Sequence, residues 1–129
     1  MIDTPQPAEH TLNIRRPYYE LIASGAKTIE VRVGYPKIRK ITAGDTLRIS
    51  CGDDALTTRV IAVKEYPSFQ AMLEAEDAAA IGGPDMTHEQ LVAAIREIYP
   101  PEKEALGVFA LHLDTHAGGF DGGSTNSSV

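Results

Sequence analysis

Apolar Ile29, Val31 and Val33 alternate with polar Thr28, Glu30 and Arg32, and Lys27 stands just ahead of them. Successive side chains of a strand point to opposite faces. The pattern therefore predicts a strand whose apolar trio enters a core while its polar trio faces water or a ligand. A longer period marks the helices. Tyr18, Leu21 and Ile22 share a core-facing helical stripe between Pro17, suited to a first turn, and Gly25, suited to a left-handed stop. Ser68 predicts the N-cap of a helix reaching Ala75, and a short helical piece follows, ending at Gly82 and Gly83. Thr87 with Gln90 forms a capping-box pattern ahead of the apolar stripe Leu91, Ile95, Ile98, on a helix expected to stop at Tyr99-Pro100-Pro101.

Further strands are predicted at 11–14, 46–50, 56–66 and 107–113. The second and third of these form a hairpin across a tight CGDD turn, and the VIAV centre of the longer one suits burial on both faces. Between them and the first polar strand, GYPKIRKITAG reads as an ordered basic loop with one helical turn. Five short strands with two or three helices, and no regular βαβ alternation, predict an α+β domain built on a small, strongly curved sheet or barrel.

A chain of 129 residues with 43% hydrophobic composition supports one domain with a core of its own. Its expected bounds are 10–116. Residues 1–9 hold two prolines and no periodicity and read as a flexible arm, and the Gly/Ser/Asn-rich stretch 117–129 reads as a disordered tail. No stretch approaches the roughly 20 apolar residues of a membrane span. The start MIDTPQPAEH has neither the basic residues nor the apolar run of a signal peptide, so the expected location is cytoplasmic. A single cysteine, Cys51, cannot form an internal disulfide, and no Cys/His cluster has zinc-site spacing; neither metal nor cofactor is expected.

Charge changes the picture. The net value is −6, which alone argues against a polyanionic partner. Between Asn13 and Lys40, however, Arg15, Arg16, Lys27, Arg32, Lys37, Arg39 and Lys40 face only Glu20 and Glu30. Such asymmetry fits either a basic patch meeting an anionic partner or a solvated charged surface.

Lys27, Glu30 and Arg32 are the candidate catalytic residues, since a carboxylate beside two cations can position a polar ligand and accept a proton. The competing reading is an exposed ion pair of little consequence. Paired carboxylates of glycoside chemistry, a Ser/His/Asp order, GxGxxG and a P-loop are all missing from the sequence. His10, His88, His112 and His116 are scattered, and His112, inside a predicted strand, reads as structural. Cys51 has no recognisable activating partner. Tyr99, Glu102, Lys103 and Glu104 read as a capped turn that places the last strand.

The blocks LNIRRPYYELIASGAKTIEVRV, ITAGDTLRI, EYPSFQAML and REIYPPEKEALGVFALHL, in that order, resemble the ASCH domain of the PUA-like superfamily. The combination of Gly25, Lys27, Thr28, Glu30 and Arg32 with Gly44-Asp45 makes the resemblance specific, and it runs from about Leu12 to Leu113. It implies a small PUA-like β-barrel with flanking helices, a cleft lined by the 27–33 strand, and binding of RNA or nucleosides. One branch of the family removes the acetyl group from N4-acetylcytidine with a lysine, a threonine and a glutamate. Lys27 matches that lysine, whereas Glu30 occupies the threonine position and the glutamate position falls near Pro84 and Asp85. Another branch resembles this chain in its glutamate-arginine strand and cleaves single-stranded RNA without a metal.

Two classes of function follow. In a module that binds single-stranded RNA or a nucleotide, Arg15, Arg16, Lys37, Arg39 and Lys40 hold phosphates and Tyr35 stacks on a base. Glu30 with Arg32 reads base or ribose edges, and Thr28 completes the polar face. In a metal-independent hydrolase using the same cleft, Glu30 with Lys27 or Arg32 promotes attack by a 2′-hydroxyl, or Lys27 acts on an acylated base. A third reading has the helical segment 68–98 docking another protein.

Overall fold

The computed structural model describes residues 7–115. Residues 1–6 of the expected arm and the expected tail at 117–129 lie outside the described residues. Five strands, β1 (Glu9–Asn13), β2 (Ile29–Val33), β3 (Thr46–Cys51), β4 (Asp54–Tyr66) and β5 (Val108–Asp114), form one sheet in the order β1-β3-β4-β5-β2. β1 runs parallel to β3, and every other neighbouring pair is antiparallel. The sheet curls into a half-barrel, as expected, and the guanidinium of Arg32 on one edge strand reaches the Asn13 carbonyl at the end of the other.

Helices lie on both faces. α1 (Arg16–Ser24) and α2 (Pro36–Arg39) contribute Ile22 and Ile38 to a first core with Leu12, Leu47, Ile49, Val60, Phe109, Leu111 and Leu113. α3 (Phe69–Ala75), α4 (Ala78–Gly82) and α5 (His88–Ile98) cover the second face, where Met72, Ile81, Leu91 and Ile95 pack on Ile29, Val33, Val108 and Ala110. β5 feeds both cores because its alternate residues point opposite ways.

Local signals explain the boundaries. α1 stops at Gly25, whose φ of 88° is the left-handed conformation that a side chain disfavours. Thr87 and Gln90 complete the capping box of α5, and Ser68 Oγ accepts from the Ala71 N–H at the start of α3. A 3₁₀ turn at Pro101–Leu106 carries Glu104, which accepts from the Phe69 N–H at 2.9 Å and from Arg96 Nη2 at 2.8 Å. One carboxylate thus joins the start of α3 to the end of α5 immediately before β5.

Two expectations need correction. The first strand begins at Glu9 rather than at 11, so the last residue of the expected arm belongs to the sheet. In the VIAV centre of β4, Ile61 is 56% exposed because the register with β5 shifts between Val60 and Ala62; the irregularity turns the extra residue outward.

The early start of β1 has a local cause. Asp45 is buried and accepts from the Ala8 N–H (3.1 Å), the Thr42 N–H (3.0 Å) and Thr42 Oγ1 (3.2 Å), with His10 Nε2 at 2.8 Å. These bonds, the Thr42 amide first, outweigh burial and hold its carboxyl down to about 2. A depressed folded value means that the carboxylate stabilises the fold above its unfolded pKa of about 3.9. That contribution is lost as pH falls from there towards about 2. Thermal melts across this window should show the natural protein weakening steeply and Asp45→Asn, already less stable, changing less.

Candidate functional site

The pairing of β2 with β5 decides where its polar face goes. Glu30 lies opposite Leu111 and Arg32 opposite Phe109, so both side chains stand on the face of the first core. Ile29, Val31 and Val33 turn to the second core, as their alternation requires. Because β2 is the sheet's edge, Glu30 and Arg32 sit where that face opens between β2 and the end of β1.

There they bury rather than face water. Glu30 and Lys27 are both inaccessible, and Arg32 is half-buried. Arg32 Nε donates to Glu30 Oε2 at 2.6 Å, and its Nη2 donates to the Asn13 carbonyl at 2.7 Å. Lys27 Nζ lies 2.6 Å from the Ile29 and Ile81 carbonyls and 3.3 Å from Glu30 Oε1. Three acceptors match the three N–H groups of an ammonium. Burial pulls the Lys27 pKa below its ordinary value, opposed by the charge of Glu30. Burial pushes that of Glu30 up, but Lys27 and Arg32 more than offset it, so the carboxyl is held below its usual range. The set is a carboxylate clamped between two cations.

This cluster forms one end of a cleft of about 180 Å³. Tyr18, Ile14 and Arg15 at the start of α1 form one wall; Leu91, Ala94, Ile95, Ile98 and Tyr99 of α5 and its end form the other, with Val31 and Ile81 between. The lining is mostly apolar and aromatic with a few polar groups, the usual make-up of a small-molecule pocket. The lining holds three cations, Arg15, Lys27 and Arg32, and one carboxylate, Glu30.

The remaining predicted residues stand elsewhere. Arg16 turns to the β3–β4 hairpin, with Nη1 at 2.9 Å from Asp54 Oδ2 and its guanidinium over Tyr19. Arg39 packs over Phe109 and donates to Glu65 and to the Leu106 carbonyl. Lys37 and Lys40 are exposed on and just after α2. Tyr35 is 40% exposed, with Lys103 Nζ above its ring. Thr28 spends its backbone on Ala80 and Leu113. Seven cations clustered in sequence therefore divide in space, because the chain turns sharply at Gly25 and again after β2.

Sequence reasoning missed the walls. Tyr18 and Ile98, read as core residues, line the cleft, and Asn13, Ile81 and Tyr99 join them. The helical stripes were the available signal, since Tyr18 of α1 and Ile98 of α5 stand outside both cores. His112 is structural, its Nε2 at 3.0 Å from Glu76 Oε1; Glu76 Oε2 also accepts from the Tyr66 hydroxyl, which, with burial, raises that phenol to about 12. Among the described residues no three His, Cys, Asp or Glu side chains gather as a metal site, and no helix is long and apolar enough to cross a membrane.

A curled five-stranded sheet with helices on both faces, opening where its two edge strands meet, is a PUA-like architecture. Residues 12–116 match the ASCH domain, and the chain belongs to that family. Among solved structures it is similar to the protein PH0355, at 31% identity and a TM-score of 0.74, covering 82% of this chain and 97% of that one. It is also similar to PF0455 from Pyrococcus furiosus, at 32% identity and a TM-score of 0.66 over 82% of this chain and 96% of that one. An S128A mutant of ZmASCH from Zymomonas mobilis shares the fold at 14% identity, with a TM-score of 0.60 over 88% and 72% of the two chains. No curated protein matches the chain.

Proposed function

We propose that this protein binds single-stranded RNA or a free nucleotide, seating one base in the cleft between α1, β2 and α5. The observation that carries the reading is a buried carboxylate held by two cations at the end of an aromatic-lined cleft, with Arg15 at its rim. A flat heterocycle suits the apolar walls, and a splayed base offers the edge that polar groups at the closed end can meet. A cleft of about 180 Å³ admits one ring system rather than a duplex.

The same geometry favours recognition over hydrolysis. A general base works best with a pKa near the working pH, and that of Glu30 is held below the ordinary carboxylate value. Lys27 is buried with three oxygens around its Nζ, which leaves an acyl group no approach to the nitrogen.

Fluorescence anisotropy with a labelled single-stranded RNA tests the proposal. With Arg15 and Arg32 as the phosphate-facing cations, affinity should fall roughly tenfold between about 50 and about 300 mM salt, and the RNA should be recovered intact. Absence of binding at the lower salt, or affinity indifferent to salt, would refute it.

A further inference from the structure

On the edge of β2 that borders the cleft, the carbonyls on either side of Val31 are capped. Leu113 donates its N–H to the Thr28 carbonyl and Gly34 donates to the Gly107 carbonyl, which fixes the phase of the antiparallel ladder. Thr28, Glu30, Arg32 and Gly34 therefore share the side of the strand that bonds β5, and Ile29, Val31 and Val33 direct their backbone groups outward. Among the described residues no strand lies beyond β2.

Each flank of Val31 is occupied. The Ile29 carbonyl takes Lys27 Nζ at 2.6 Å. The Val33 carbonyl takes the Tyr35 N–H at 2.9 Å, and the Tyr99 hydroxyl stands against the Val33 N–H. Among the described residues, no group is hydrogen-bonded to the N–H or the C=O of Val31, and Val31 lines the cleft. A backbone donor and acceptor beside apolar walls are costly to leave unmade.

We infer that the Val31 N–H and C=O are the base-reading groups of this cleft, taking a heterocycle that carries a hydrogen-bond acceptor next to a donor. The N3–H and O4 edge of uracil and the N1 and N6-amino edge of adenine have that arrangement. The inference rests on the nucleotide-binding reading above and adds the atoms that do the reading. A peptide strand is the obvious alternative occupant of a sheet edge, but it needs a run of outward-facing pairs. Here Lys27 blocks one side and Tyr35 with Tyr99 the other, which leaves a window one residue long.

Titration of the ¹⁵N-labelled protein with uridine monophosphate and adenosine monophosphate tests this directly. The Val31 amide resonance should move downfield as either nucleotide binds, and N3-methylation of the uracil, which removes the donor, should weaken binding about tenfold. Val31→Pro removes the N–H at an outward-facing edge position while leaving the ladder bonds of Glu30 and Arg32 in place. It should lower affinity by a similar factor. If the proline variant fails to fold, the amide titration decides alone. A stationary Val31 amide while the Arg32 Nε–H and Ala94 amide move would overturn the inference and leave the cleft as the binding site. No movement of any cleft resonance with either nucleotide would overturn both. Movement of Val31 only with an extended peptide would replace the heterocycle with a strand.

Discussion

Replacing Glu30 with alanine should lower the unfolding free energy by about 3–5 kcal/mol. The loss comes less from the missing attraction than from what remains. Lys27 is inaccessible, its ammonium placed by Glu30 and two carbonyls, and without the carboxylate it is a buried charge with no counter-charge at contact distance. Arg32 suffers less, being half-buried and still bonded to the Asn13 carbonyl. Glu30→Gln keeps the volume but aims an N–H₂ group at one of the two cations, so it too should destabilise. Removing the charge with its partner, as in Lys27→Met combined with Glu30→Leu, should recover most of the loss, because replacing a buried pair by apolar groups is often nearly neutral. Urea unfolding of the natural protein, Lys27→Met, Glu30→Leu and the double variant, analysed as a mutant cycle with Glu30→Ala and Glu30→Gln alongside, provides the measurement. If Glu30→Ala costs less than about 1 kcal/mol, the carboxylate is hydrated in solution and the clamp does not exist as described.

Arg32→Ala should reduce affinity for single-stranded RNA by between about tenfold and a hundredfold. Its guanidinium is the one cation that is fastened to Glu30, lines the cleft and remains partly open to it. Arg32→Lys should not restore binding, since a point charge cannot hold Glu30 and the Asn13 carbonyl through one planar fork. Arg39→Ala and Lys40→Ala should change affinity by less than about threefold, because neither residue lines the cleft and remote charges are screened over about 10 Å. Anisotropy titrations on variants whose melts match the natural protein distinguish the two patterns. Equal losses at all three positions would mean that RNA meets a diffuse basic surface.

The contrast between those residues also shows what the sequence could and could not say. The alternation at 28–33 specified a strand and which side chains share a face, because that periodicity is local. It could not specify that the polar face would point into the half-barrel, since this depends on pairing β2 with β5, some eighty residues away. Burial of Glu30 was correspondingly illegible: nothing between Lys27 and Arg32 distinguishes an exposed ion pair from a clamped one. The caps at Gly25, Ser68 and Thr87 were readable because each satisfies backbone groups within four residues. The outward turn of Ile61 was not, since a shift in register is a property of two strands and not of one. Charge density along the chain misled in the same way: Arg15 and Arg16 are neighbours, yet one lines the cleft and the other binds the far hairpin.

The central claim is that the opening between β2 and the end of β1 receives one base. A crystal structure of the protein soaked with a short oligouridylate measures this most directly. The account predicts a single uracil between the walls formed by Tyr18 and α5, its polar edge on β2 and an adjoining phosphate near Arg15. Oligonucleotide density along α2, with the cleft empty and Arg32 still closed onto Asn13, would contradict it.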